Sequence, residues 1–100
     1  MTAALEITTG SAADGTPSMT VVGEIDLSNV DEFTEGLRAA VGPEGRLLVD
    51  LTRVDYLDSA ALAVLFSHAD RVDIRISPLN QRLFNVYGLD QVTSVRVVPD

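Results

Sequence analysis

The residues best placed to do chemistry lie where an apolar run gives way to a helix. Leu48-Val49-Asp50-Leu51-Thr52-Arg53-Val54-Asp55-Tyr56-Leu57-Asp58-Ser59-Ala60-Ala61-Leu62 reads as a buried strand, a short loop and an abrupt helix start at Asp58-Ser59. A hydroxyl at a helix N-terminus is accessible from the loop side. A phosphate attached there would meet unpaired backbone N–H groups and the positive end of the helix dipole. Asp and Ser are also favoured helix caps, each typically worth about 1 kcal/mol, so plain capping and covalent modification both remain open for this pair. The carboxylates of Glu24, Asp26, Asp50, Asp55 and Asp58 are expected near one end of the sheet, where they form either a magnesium-type site or, as a strongly acidic chain favours, a solvated rim.

Other chemistries are poorly supplied. His68 is the one histidine and falls late in a helix, which suits a helix-end or packing role better than a catalytic one. All seven basic residues are arginines, at positions 38, 46, 53, 71, 75, 82 and 96. The absence of lysine removes Schiff-base chemistry, the P-loop lysine and the lysine of a phosphoacceptor receiver domain. The absence of cysteine removes thiolate catalysis, sulfur-rich zinc sites and disulfides. A formal charge of −8 repels phosphate backbones and anionic headgroups, so no nucleic acid is expected as a partner. No nucleophile, base and orienting group converge, so the chain is read as a non-enzyme that needs no cofactor.

The elements that position Asp58 and Ser59 follow from the apolar pattern. A chain of 100 residues supports one core, burying roughly two-thirds of its unfolded surface, and is read as a single domain over residues 1–100. Leu5 to Thr9 and Ser18 to Val22 form a hairpin around the Asp14-Gly15 turn. A first helix begins with a capping-box-like Ser28-Asn29-Val30-Asp31 and carries Val30, Phe33, Leu37 and Val41 at helical spacing until Gly42-Pro43. Leu47-Leu48-Val49, extended by Leu51, lacks polar alternation, which predicts a central strand covered on both faces, with Asp55 and Tyr56 in the loop after it.

In the second helix, Leu62, Leu65, Phe66 and Ala69 share the face that packs on the sheet, and Ala60, Ala63 and Val64 lie on the neighbouring face. Asp73 to Ile76 is a fourth strand, Asn80 to Tyr87 a third helix ending at Gly88-Leu89, and Ser94 to Val98 a last strand. The five aromatic residues sit mostly at core spacings and are expected to pack rather than stack on a ligand. The result is an α/β fold: a mixed sheet of about five strands, opened by a hairpin and continued by βα units, packed with about three helices. With no leader-like N-terminus and no apolar run near the roughly 20 residues of a membrane span, the expectation is a cytoplasmic protein without membrane insertion.

Three stretches together resemble the STAS family of the bacterial anti-sigma factor antagonist type. They are the strand ending in Asp50-Leu51 followed by Asp58-Ser59-Ala60-Ala61, the run Gly23-Glu24-Ile25-Asp26 after the second strand, and Tyr87-Gly88-Leu89-Asp90 at a helix end. They occur in the family's order over about Val21 to Val97. The resemblance implies that Ser59 is phosphorylated by a partner that is both an anti-sigma factor and a serine kinase, and that a separate phosphatase resets it. Glu24, Asp26, Ser28, Asp58, Ser59, Ala60, Ala61, Ala63 and Val64 are then the docking surface. The phosphate adds about −1.5 to −2 charge beside Asp58, so a partner surface built for a neutral hydroxyl would be opposed without any refolding. The family's usual glycine is Ala61 here, which places a methyl where a partner would approach closely. That departure keeps a second role open: a STAS-like accessory subunit that docks, unphosphorylated, on the ATPase of a lipid-transport system.

Overall fold

The computed structural model describes residues 4–41 and 45–99, so the expected stop of the first helix at Gly42-Pro43 lies outside the described residues. β1 (Leu5–Ser11) and β2 (Pro17–Ile25) pair antiparallel around the turn at Asp14 and Gly15. Three βα units follow: α1 (Val30–Ala40), β3 (Leu47–Leu57), α2 (Ser59–Ser67), β4 (Val72–Ile76), α3 (Gln81–Tyr87) and β5 (Ser94–Val97), with short 3-10 turns on either side of α3. The sheet order is β1-β2-β3-β4-β5, and every pair after the hairpin is parallel. This is the mixed five-stranded sheet with three helices that the apolar pattern predicts.

One face of the sheet is sealed and the other is open. Met19, Val21, Val49, Leu51, Ile74 and Ile76 form a single buried cluster with Phe33 and Leu37 of α1, Leu62 and Leu65 of α2 and Phe84 of α3. The alternate residues Thr20, Leu48, Asp50, Asp73 and Arg75 are only half-buried. The expected cover on both faces of β3 is therefore corrected. Burial alternates along Leu47 to Leu51, and the apolar run arises only because Leu48 stands on the less covered side.

β3 also runs past its expected end, taking Asp55 and Tyr56 into the strand rather than a loop. The register with β2 shifts twice, first between Thr20 and Val22 and again between Gly23 and Glu24, and each shift leaves one extra residue on β3. Buried positions consequently recur at Leu51, Val54 and Leu57, three residues apart, and the period-2 signature of a strand disappears from the sequence. Beyond the end of β4, the side chain of buried Asn80 takes over the pairing role, donating from Nδ2 to the Val54 carbonyl at 2.9 Å.

Candidate functional site

Because β2 and β3 are parallel neighbours, their C-terminal ends emerge side by side, with Ile25 opposite Leu57. The next residues on each chain, Asp26 and Asp58, thereby become the start of two adjacent turns. Glu24 and Asp26 reach this place through a crossing at Gly23, whose φ is +114°. A Cβ there would lie 2.3 Å from the Ala4 carbonyl oxygen, which accepts the Glu24 N–H at 2.9 Å, so the glycine is required by a close backbone approach.

Asp58 ties the two turns together. It is the N-cap of α2, with Oδ1 accepting the Ala61 N–H at 3.1 Å, while Oδ2 accepts the Leu27 N–H at 3.0 Å from the loop after β2. Its own N–H donates to the Ile25 carbonyl at 3.1 Å. The loop of residues 26–29 is braced from inside as well. Asp26 Oδ1 accepts both the N–H and the hydroxyl of Ser28, Asn29 Oδ1 accepts the Asp26 N–H at 3.0 Å, and Asn29 Nδ2 donates to the Glu24 carbonyl at 2.9 Å. The capping-box-like start expected over Ser28-Asn29-Val30-Asp31 is corrected: the N-cap is Asn29, whose side chain makes no cap bond to α1 and instead turns back, buried, to hold the loop.

Ser59 is the first residue of α2 and is exposed, and its hydroxyl has no hydrogen-bond partner among the described residues. Along the helix, Ala63 is exposed and Ala60 and Val64 are half-buried, so a shallow apolar strip continues from Ser59. Ala61 does not belong to that strip. Its side chain is fully buried with Leu62 and Leu65, because the position three after the cap points into the core, and its methyl therefore occupies no space on the outer surface. Phe66, expected in the core, is instead 38% exposed and extends the outer face, and Ala69 lies beyond the helix end at Ser67. Tyr56 and Tyr87 are likewise exposed, whereas Phe33 and Phe84 are core residues.

Leu27 was not singled out by its sequence context, yet it stands 79% exposed beside Asp58. Its signal was an apolar residue off the helical repeat of α1, flanked by Asp26 and Ser28. The acidic residues do not gather: among the described residues no three His, Asp or Glu side chains could hold one metal ion. Asp50 is turned to the open sheet face, where its Oδ1 accepts from the N–H and hydroxyl of Thr52, and Asp55 is exposed on β3. His68 ends α2 with its Nδ1 2.9 Å from the Val64 carbonyl, a helix-end contact. Among the described residues no helix is long and apolar enough to cross a membrane. What remains is a braced polar loop, an accessible hydroxyl and a small-residue helix face, an arrangement suited to protein contact.

Comparisons with known proteins agree with this fold. The family model described as Mlab, STAS domain matches residues 9–99. A crystal structure of an anti-sigma factor antagonist from Mycobacterium paratuberculosis superposes with a TM-score of 0.83 at 22% identity, covering 93% of this chain and 86% of that one. A candidate anti-sigma factor antagonist from Thermotoga maritima gives 0.67 at 14% identity, covering 94% and 86%. The STAS domain of an anti-sigma factor antagonist from Rhodobacter sphaeroides gives 0.54 at 20% identity, covering 77% and 89%. At such identities the likeness is one of fold. The search of curated proteins gave no match.

Proposed function

The chain belongs to the STAS domain family, and from that premise we propose that it is an anti-sigma factor antagonist switched by phosphorylation of Ser59. In this reading the unmodified protein docks on an anti-sigma factor with serine-kinase activity through Glu24, Asp26, Leu27, Ser28, Asp58, Ser59 and the strip Ala60, Ala63 and Val64. The sigma factor held by that partner is released for transcription. The protein is regulatory rather than enzymatic and works in the cytoplasm; ATP and magnesium belong to the kinase.

The observation that carries the reading is the exposed Ser59 directly after Asp58, the residue that joins the loop of residues 26–29 to α2. A phosphoryl group on Ser59 faces the first free N–H groups of α2 and the positive helix end, so the fold accommodates it. The same group adds about −1.5 to −2 charge next to Asp58 and the Asp26 turn. A partner must then desolvate an anion where it met a neutral hydroxyl, and binding is lost while the protein stays folded. A separate phosphatase restores it.

A second reading is favoured by one observation, the Mlab description of the matching family model. Here the same surface docks without phosphorylation on the ATPase of a lipid-transport system. Burial of Ala61 is compatible with both readings, since its methyl stands in the core. Pull-down from native lysate with wild type, Ser59→Ala and Ser59→Glu, followed by mass spectrometry of the captured proteins and of Ser59, separates them. A serine-kinase anti-sigma factor kept by wild type and Ser59→Ala and lost by Ser59→Glu supports the switch. Capture of one transport ATPase by all three supports the accessory role, and capture of neither overturns both.

A further inference from the structure

The open face of the sheet carries a charge arrangement that the docking surface does not use. Thr20, Asp50, Arg75 and Arg96 are successive register partners across β2, β3, β4 and β5, which sets the two arginines side by side on neighbouring strands about 4.8 Å apart. Like charges directly opposite on a sheet are destabilising. The chain has 15 acidic residues with which to relieve them. Arg38, Arg46 and Arg71 are each paired with a carboxylate, but neither Arg75 nor Arg96 has an ion pair or hydrogen bond among the described residues. Of the nearby acids, Asp73 pairs with Arg46, whereas Asp50, opposite Arg75 on β3, and Asp14, whose carboxyl Arg75 helps to hold below its ordinary value, keep their charge while accepting from Thr52 and Thr16; they balance Arg75 from one side, while Arg96 stands on the edge strand beyond it.

Both arginines line a groove of about 480 Å³, walled on its far side by the hairpin turn at Ala12, Asp14 and Thr16 and floored by Leu48. The same two arginines also line a second hollow beside Val97 and Val98. The groove shares no lining residue with the loop of residues 26–29 or with α2.

We propose that this groove is a ligand site in which Arg75 and Arg96 together bind the phosphoryl group of a small hydroxylated phosphomonoester. Two guanidinium forks on adjacent strands match the three terminal oxygens of a phosphoryl group, and a dianion between them turns a repulsive pair into an attractive one. The groove is far larger than a phosphate ion, so an organic part has room along Leu48 and the turn. Ionised, Asp14 and Asp73 can only accept hydrogen bonds, and they select hydroxyl donors on that part.

The test is a titration of the whole protein with inorganic phosphate and, separately, with glycerol 3-phosphate, following backbone amide shifts by NMR against sodium chloride at matched ionic strength. Saturable shifts at Thr16, Arg75 and Arg96 are expected with glycerol 3-phosphate. Arg75→Gln and Arg96→Gln should each weaken binding about tenfold or more, while Arg82→Gln, an exposed arginine on α3, leaves it unchanged. Equal binding of the two probes assigns the site to free phosphate. Shifts reproduced by chloride, or an Arg96→Gln protein that binds like wild type, overturn the proposal. Arg96 is exposed, so its variant carries the test even where Arg75→Gln folds poorly. The like-charge argument adds a second readout: without ligand, Arg96→Gln should melt no lower than wild type, and glycerol 3-phosphate should raise the melting temperature of wild type and Arg82→Gln more than that of Arg96→Gln.

Discussion

Replacing Asp58 separates the two tasks its carboxylate performs. One oxygen caps α2 through the Ala61 N–H and the other holds the loop after β2 through the Leu27 N–H. Loss of an N-cap destabilises by about 1 kcal/mol, and an exposed hydrogen bond to a charged acceptor contributes about 1 kcal/mol more. Asp58→Ala removes both and should lower stability by about 2 kcal/mol. Asp58→Asn keeps a good capping oxygen but presents an NH2 group, a donor, to the Leu27 N–H, so it should lose only about 1 kcal/mol.

Urea denaturation reads the difference directly. With a slope of about 1 kcal/mol/M for a protein of this size, the midpoint should fall by about 2 M for the alanine variant and about 1 M for the asparagine variant. Hydrogen exchange adds position: the Leu27 amide should lose protection in both variants, and the Ala61 amide only in Asp58→Ala. An asparagine variant as unstable as the alanine one, or a Leu27 amide equally protected in all three proteins, would refute the division of labour.

Three further outcomes are expected. Gly23→Ala puts a Cβ 2.3 Å from the Ala4 carbonyl oxygen at a φ of +114° and should destabilise by about 2–4 kcal/mol, lowering the melting temperature by about 10 °C or more in calorimetry. Asn80→Ala leaves the Val54 carbonyl without its 2.9 Å partner in a buried place, and equilibrium unfolding should register a loss of about 1–3 kcal/mol; a loss under about 0.5 kcal/mol would mean that water replaces the amide. The backbone N–H of Thr16, then its hydroxyl, hold the Asp14 carboxyl below its ordinary value of 3.8, with a minor contribution from Arg75. A depressed folded-state value means that the stabilisation is complete above 3.8 and disappears as pH falls through the folded value, so the stability gap between wild type and Asp14→Asn should close on acidification, as paired melts across that window would record.

Much of this architecture was legible in local sequence. The Asp14-Gly15 turn, the start of α2 after Asp58 and the end of α3 at Gly88, in the left-handed conformation with φ of +77°, are set by interactions between residues a few positions apart. The apolar spacing of Phe33 and Leu37 likewise predicts the buried side of α1, because helical period and burial coincide there. Ser59 stands out for the same local reason: it opens a helix directly after its cap.

The rest depended on which strands lie beside which. β3 continues to Leu57 because β2 pairs with it across two bulges, an event that erases the alternation by which a strand is recognised. Leu48 is only half-covered because all the buried helix residues join one face of the sheet, leaving the other without a layer. The second bond of Asp58 reaches a residue 31 positions away, and Arg75 meets Arg96 only through the register of β4 and β5. A sequence of 100 residues thus carried its turns, caps and helix faces in short-range chemistry, whereas the braced loop, the buried Ala61 and the arginine pair came into being only when parallel pairing brought distant segments to the same place.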